Sequence, residues 1–307
     1  MTLDLFVCWA DSDPFYQEYF PDCNVLISLP NVALSWTVER FSTEPGKIMV
    51  DSGAFAYLSK PNKRMSQKDV FTHQLHLSQN SKATTILCHL DHPIPPALTD
   101  TVEIYRRIEA TIANAHEFMN LFKSANLPSN FKTMGIIQGN SYDSIAFCAT
   151  ELDRLGFDFL GMGSLATLYN NDLILERVEY AISTIGKQLH IFGISGIKVV
   201  MRLMELGIRS FDSSRPMKAA IYNCVFYSNP FRRFKLKGSS ANRELPVLAE
   251  PLPCPCPVCK KDPTLIIKVG TKKATNYRAV HNFYHLRAAL EGLATELESA
   301  QDCPSTR

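Results

Sequence analysis

The chain has 307 residues, is 46% hydrophobic and carries a net charge of +2. That apolar content excludes a disordered chain, and no stretch approaches the roughly 18 apolar residues of a membrane span. No basic start followed by an apolar run opens the sequence, so a soluble cytoplasmic protein without membrane contact is expected. Nine cysteines in a reducing cytosol read as core residues or metal ligands rather than as a disulfide framework.

In chain order, short apolar runs alternate with longer amphipathic ones. Candidate strands cover 3–8, 25–29, 48–50, 85–90, 134–138, 157–162, 190–194 and 208–211. Helical spacing marks 101–123, 141–155, 172–185 and 198–206, and Gly156 and Gly207 stop the second and fourth of these. Eight strands with helix-length connections and no G-x-G-x-x-G turn predict a (β/α)8 TIM barrel rather than a dinucleotide-binding sheet.

In such a barrel the chemistry stands at the C-terminal ends of the strands. There the sequence offers Asp51-Ser52-Gly53-Ala54-Phe55, Asp91-His92-Pro93, Gln138-Gly139-Asn140, Gly161-Met162-Gly163 and Asp212-Ser213-Ser214. A single aspartate at a strand end is well explained as a cap for the following turn or helix. Three of them with a glutamine on one rim point instead to a site.

Beyond the barrel, the proline-rich stretch 246–257 leads into Cys254, Cys256 and Cys259, with His281 and His285 later in the chain. Three thiolates and an imidazole make a closed tetrahedral shell for structural Zn2+. The two histidines are four residues apart on a predicted helix, hence on one face, and either can close the site. The expected organisation is a barrel over 1–245, a zinc-binding subdomain with a closing C-terminal helix over 246–300, and a disordered tail over 301–307. From 230 to 278 eleven Lys or Arg face three acids, an excess of eight, with Phe231, Phe234 and Tyr277 among them. Basic side chains interleaved with aromatics suit phosphate contact and base stacking, whereas a charge run by itself is usually a solvated face.

Taken together, Asp51-Ser52-Gly53-Ala54-Phe55, Gly135-Ile136-Ile137-Gln138-Gly139, Phe211-Asp212 and the Cys-x-Cys-x-x-Cys…His281-Asn282 end resemble the tRNA-guanine transglycosylase family, in that family's order across about 45–290. The resemblance implies a zinc-bearing (β/α)8 barrel, a pentosyltransferase that exchanges guanine in nucleic acid for a 7-deazaguanine. It implies Asp212 as nucleophile and Asp51 as general acid/base. Asp91, Gln138 and the Gly161-Met162 backbone would read the base, Phe55 would stack on it, and His281 would be the fourth zinc ligand. The partners implied are DNA or tRNA and a free guanine or 7-deazaguanine base, with a homodimer or heterodimer possible.

The sequence also departs from that family. Typical bacterial members are longer and follow the nucleophile with a Thr-Arg-x-Gly-Arg-x-Gly-like run, whereas here only Arg215 and Lys218 can serve similarly. Ala54 replaces a glycine, and His281 follows Cys259 at a shorter spacing than usual, which His285 would restore without the Asn. These departures favour the branch that modifies DNA over the one acting on tRNA. A non-catalytic partner subunit is disfavoured by the intact Asp51 and Asp212, and a nucleoside-level enzyme by the basic segment.

Overall fold

The computed structural model describes residues 3–58, 65–194, 196–239 and 244–301. Arg243 of the basic segment and residues 302–307 of the expected tail lie outside them.

Eight strands run parallel in chain order: β1 (Asp4–Trp9), β2 (Asn24–Ser28), β3 (Lys47–Asp51), β4 (Thr84–Cys88), β5 (Phe131–Ile137), β6 (Phe159–Met162), β7 (Leu189–Ile191) and β8 (Ser210–Ser213). The sheet closes where β8 pairs with β1, Asp4 opposite Ser210 and Val7 opposite Ser213, so the barrel leaves no strand edge open. The predicted TIM barrel is thus the observed one. Alternation divides the strand residues. Phe6, Leu26, Met49, Ile86, Met134 and Ile136 fill the barrel interior, while Val7, Ile27, Val50, Leu87, Ile137 and Ile191 pack outward in the main core.

Helices α1 (Ala54–Tyr57), α2 (Gln67–Leu77), α3 (Thr101–Ala125), α4 (Tyr142–Arg154), α5 (Asn171–Ile185), α6 (Ile197–Glu205) and α7 (Arg215–Ile221) follow β3 to β8. The connection from β1 to β2 holds one 3-10 turn and that from β2 to β3 holds two, with no α-helix in either. In place of helices, Trp9, Phe15, Trp36 and Phe41 pack ring against ring, with centroids 4.8 to 5.7 Å apart. Among the described residues no helix is long and apolar enough to cross a membrane.

The C-terminal part adds a small sheet, β9 (Cys224–Tyr227), β10 (Arg232–Leu236) and β11 (Val247–Leu248), then α8 (Pro257–Lys261) and the long α9 (Lys272–Gln301). Because β10 pairs with β11, this sheet straddles the domain boundary expected at 245–246. Phe283 of α9 packs at a steep angle against Tyr16 and edge-on against Phe20 from the loop after β1, and Cys256, Cys259 and Phe283 share one continuous core with the barrel.

The basic segment is less of a surface than its sequence suggests. Arg278 is fully buried and donates to the carbonyls of Ala220, Ile266 and Lys268 and to Asn223 Oδ1. It staples α7, the turn before β9 and the segment 266–268 to α9 and is not available to a phosphate.

Candidate active site and metal centre

A cavity of about 420 Å³ opens at the C-terminal rim of the barrel, lined by Cys8, Asp51, Phe55, Asp91, Phe192 and Asp212 among others. That size suits one small organic ligand. Asp51 and Asp212 are there because they are in phase with the inward residues Met49 and Ser210 two positions earlier.

Each aspartate has its own environment. Asp51 Oδ2 accepts hydrogen bonds from Ser28 Oγ at 2.9 Å and from the Gly53 amide at 3.1 Å. Gly53 has φ +78°, and a Cβ there would lie 2.1 Å from Pro30 Cδ, so only glycine turns the amide back onto Asp51. Burial pushes the Asp51 carboxyl above its ordinary range, against the Ser28 and Gly53 bonds. Asp91 is pushed up to about 7, by burial first and then by the nearby Asp51 charge. Its Oδ2 accepts from Gln138 Nε2 at 2.6 Å and its Oδ1 from Ser52 Oγ at 3.5 Å. Asp212 Oδ1 accepts from the Gly193 amide at 2.7 Å, and Oδ2 from the Cys8 thiol at 3.1 Å.

Not every expected residue faces the cavity. Gly161 and Met162 lie within β6, and Met162 packs outward in the main core. The cavity wall is made two residues later by Gly163 and Ser164. A Cβ at Gly163 would stand 2.3 Å from Gln138 Nε2, so a glycine is what lets Gln138 reach Asp91. Gln138 itself is fully buried, its Oε1 taken by Ser164 Oγ at 2.5 Å, so it acts on Asp91 from behind.

Sequence reasoning missed Ser28, Phe192 and Cys8. Phe192 was discoverable, since it follows the inward His190 by two residues and so shares its face. Phe55 stands half exposed at the mouth, opposite in role to the enclosed Phe192. Lys218 is exposed and lines the cavity. Arg215 is half-buried with its guanidinium 6.0 Å from the Phe226 ring centroid, and burial, then Arg233, lowers its pKa.

The Cys254, Cys256, Cys259 and His281 ligand atoms lie within 4.8 Å of one another, and this buried Cys3His group can hold a metal ion. His281 Nδ1 is 3.4 Å from the sulfurs of Cys256 and Cys259 and 3.7 Å from that of Cys254. Tetrahedral metal bonds of about 2.0–2.3 Å imply ligand–ligand edges of roughly 3.5 Å, so the group has the right size. His281 Nε2 lies 2.8 Å from the Phe226 carbonyl. That bond needs the proton on Nε2, leaving the Nδ1 lone pair turned to the sulfurs. His285 is wired the other way. Its Nδ1 accepts from the Ser228 amide at 2.8 Å, so its Nε2 carries the proton, 3.1 Å from Cys254 Sγ. Geometry therefore selects His281 as ligand and His285 as a donor to a ligand sulfur. The Cys256 and Cys259 amides donate to the Cys254 and Cys256 sulfurs at 3.3 Å, which favours thiolates.

Compared with known proteins, residues 29–300 match the family described as queuine tRNA-ribosyltransferase. The tRNA-guanine(15) transglycosylase of Korarchaeum cryptofilum (strain OPF8) is 28% identical over 246 residues, covering 78% of this chain and 38% of that protein. The queuine tRNA-ribosyltransferase of Helicobacter pylori (strain P12) is 24% identical over 239 residues, 73% of this chain and 63% of the relative. The tRNA-guanine(15) transglycosylase of Aeropyrum pernix is 26% identical over 286 residues, 88% and 52% of the two chains. This chain thus spans between about two fifths and two thirds of the length of these three relatives.

Proposed function

The chain belongs to the queuine tRNA-ribosyltransferase family, and from that premise we propose that it exchanges a guanine in nucleic acid for a 7-deazaguanine base. The observation that carries the reading is the pair of inward aspartates, Asp51 and Asp212, on one cavity with different partners. Keeping the configuration at C1′ calls for two displacements. Asp212 attacks C1′ as the C1′–N bond breaks, giving a glycosyl ester. The departing guanine takes a proton from Asp51, whose carboxyl is raised above its ordinary range by burial, the direction a general acid needs. The incoming base then returns a proton to Asp51 and attacks C1′, releasing Asp212.

The base is read by Asp91, whose carboxylate accepts hydrogen bonds from N1–H and the exocyclic amine of a guanine-like ring. Gln138 orients Asp91, Gly163 and Ser164 form the opposing wall, and Phe55 and Phe192 supply the aromatic faces. In this division of labour the Gly161-Met162 backbone has no part. Unstacking the target nucleotide into such a pocket is a requirement of the chemistry. The C-terminal Cys3His group holds structural zinc, which takes no part in catalysis, and its reduced thiols fit a cytoplasmic setting.

The names of the relatives favour tRNA as the polymer, which revises the preference for DNA drawn from the sequence. Incubation with labelled guanine and either bulk tRNA or duplex DNA decides between them. Label in tRNA is the expected result, label in DNA alone moves the activity to DNA, and label in neither overturns the proposal.

Asp91 also makes the reading depend on pH. Only its anion accepts both base donors, so binding of free guanine should weaken as pH falls through about 7 and change roughly tenfold per unit well below it. Stability runs the opposite way. A carboxyl with a raised folded pKa loses stability as pH rises from its unfolded value through about 7, so Asp91→Asn should stabilise the free protein above neutrality. Calorimetric titration with guanine at several pH values checks the first point, and guanine binding unchanged between pH 6 and 8 would remove Asp91 from base reading.

A further inference from the structure

We infer that Asp212 attacks through Oδ2, and that His190 and Cys8 are positioning residues that give its two oxygens different tasks. The inference rests on the reading of Asp212 as nucleophile.

His190 is a fully buried imidazole in the barrel interior that no step of the exchange uses. Its Nδ1 lies 2.8 Å from Ser210 Oγ, and its Nε2 lies 3.5 Å from Asp212 Oδ1 without forming a hydrogen bond. A bare Nε2 lone pair facing a carboxylate oxygen would be repelled. The proton therefore sits on Nε2, the Ser210 hydroxyl donates to Nδ1, and the N–H dipole points at Oδ1. Edge contacts with Phe6 and Phe192, at 5.7 and 4.4 Å between centroids, fix the ring plane. Oδ1 thus accepts the Gly193 amide at 2.7 Å with the imidazole Nε2 beside it at 3.5 Å.

Oδ2 is treated differently. Among the described residues its hydrogen-bond donor is the Cys8 thiol at 3.1 Å, and Cys8 lines the cavity beside it. A thiol is a weak donor. Burial, then the Asp212 charge, raises the Cys8 pKa well above its ordinary value, so the sulfur keeps its proton. The oxygen that becomes the ester must release its donor as the bond to C1′ forms. Releasing S–H costs less than releasing a hydroxyl or an amide. In the step itself the Oδ2–C1′ bond forms, the C1′–N bond breaks with its electron pair going to the base, Asp51 supplies the proton, and Cys8 retains its own.

Two variants at each position test this. Cys8→Ser offers a stronger donor of similar size, and Cys8→Val removes the donor. His190→Phe deletes both ring nitrogens, and His190→Gln keeps a donor. The first readout needs no substrate: the carboxyl 13C chemical shift of Asp212 at fixed pH, assigned by difference from Asp212→Asn, with Asp51 and Lys218 left unchanged throughout. The signal should move in opposite directions in Cys8→Ser and Cys8→Val, which strengthen and remove the bond to Oδ2, should move in His190→Phe, and should return toward wild type in His190→Gln. The second readout is rapid-quench adduct formation on a guanine-containing RNA or DNA oligonucleotide without incoming base. At unchanged half-saturation, Cys8→Ser should slow it about tenfold and Cys8→Val should speed it about threefold. His190→Phe should slow it roughly a hundredfold, with His190→Gln recovering most of the loss.

An Asp212 carboxyl signal unmoved in both Cys8→Ser and His190→Phe would overturn the inference. So would a Cys8→Val enzyme slower than Cys8→Ser, which would make the thiol a required donor. If the carboxyl signal moves as expected while wild type forms no adduct on either polymer, the hold on Oδ1 is supported. The nucleophile reading then fails, and attack through Oδ2 fails with it.

Discussion

Asp212→Asn is expected to abolish the covalent protein–nucleic acid adduct and to lower base exchange by about 10⁴ or more, on the scale of losing a catalytic nucleophile. The substitution keeps the shape of the side chain. An amide oxygen at the Oδ1 position still accepts from the Gly193 amide, which lies 2.7 Å away, so the fold and the cavity should survive. What disappears is the negative charge and lone pair able to form an ester at C1′. Asp51→Asn makes the contrast. It leaves the nucleophile intact but removes the proton donor for the leaving base, a loss of about 10² to 10⁴ in rate. Nucleic-acid binding should be retained in both. Denaturing electrophoresis after incubation without incoming base reads the adduct, and rapid quench reads its rate. An adduct that persists in Asp212→Asn would mean that the nucleophile lies elsewhere, with Asp51 the first residue to examine. Exchange without any adduct in wild type would favour a dissociative path with Asp212 as an electrostatic stabiliser.

The two aspartates were readable from sequence because they follow apolar strands, where a barrel exposes its chemistry, and because alternation assigns them the inward phase. Other features left weaker signals. Helix α2 escapes periodicity because its buried face is partly polar. Gln74 Nε2 donates to the Val50 and Cys88 carbonyls and Gln67 Oε1 accepts from the Leu90 amide, so the helix is anchored by hydrogen bonds where an apolar stripe is sought. The shift from Gly161-Met162 to Gly163-Ser164 has a different cause. Strand β6 ends at Met162, which points outward, and the chain then turns through Ser164 at φ +58°, so the residues just past the strand wall the cavity. The connections after β1 and β2 depart furthest from expectation. Their length suggests helices, yet Pro14, Pro21 and Pro30 interrupt them and aromatic packing takes over the covering role. Arg278 illustrates the limit of charge counting, because a buried staple and a phosphate ligand look alike in a list of basic residues.

Cys256→Ala is expected to release one zinc per chain and to loosen the whole C-terminal sheet. Structural zinc contributes about 10–16 kcal/mol to the folding of isolated zinc modules, and a site with one ligand missing keeps only part of that. The effect should spread because the ligand His281 is also a tie. Its Nε2 bonds the Phe226 carbonyl, and the adjacent Asn282 accepts from the Phe226 amide while donating to the Pro216 and Cys224 carbonyls. Losing the metal frees the imidazole that aligns this ladder, so β9, α7 and the first half of α9 lose a common anchor. The Pro216 carbonyl lies just after β8, which links the metal centre to the strand carrying Asp212. Exchange activity should therefore fall with the metal although no ligand approaches the cavity. His281→Ala should behave like Cys256→Ala. His285→Ala should keep the metal with an affinity reduced by about 10- to 100-fold, the usual cost of losing a hydrogen bond to a ligand atom. Metal analysis with thermal unfolding measures both. Protein purified without chelators that contains no zinc would remove the metal centre, and a His285→Ala variant that loses zinc while His281→Ala retains it would reverse the ligand assignment.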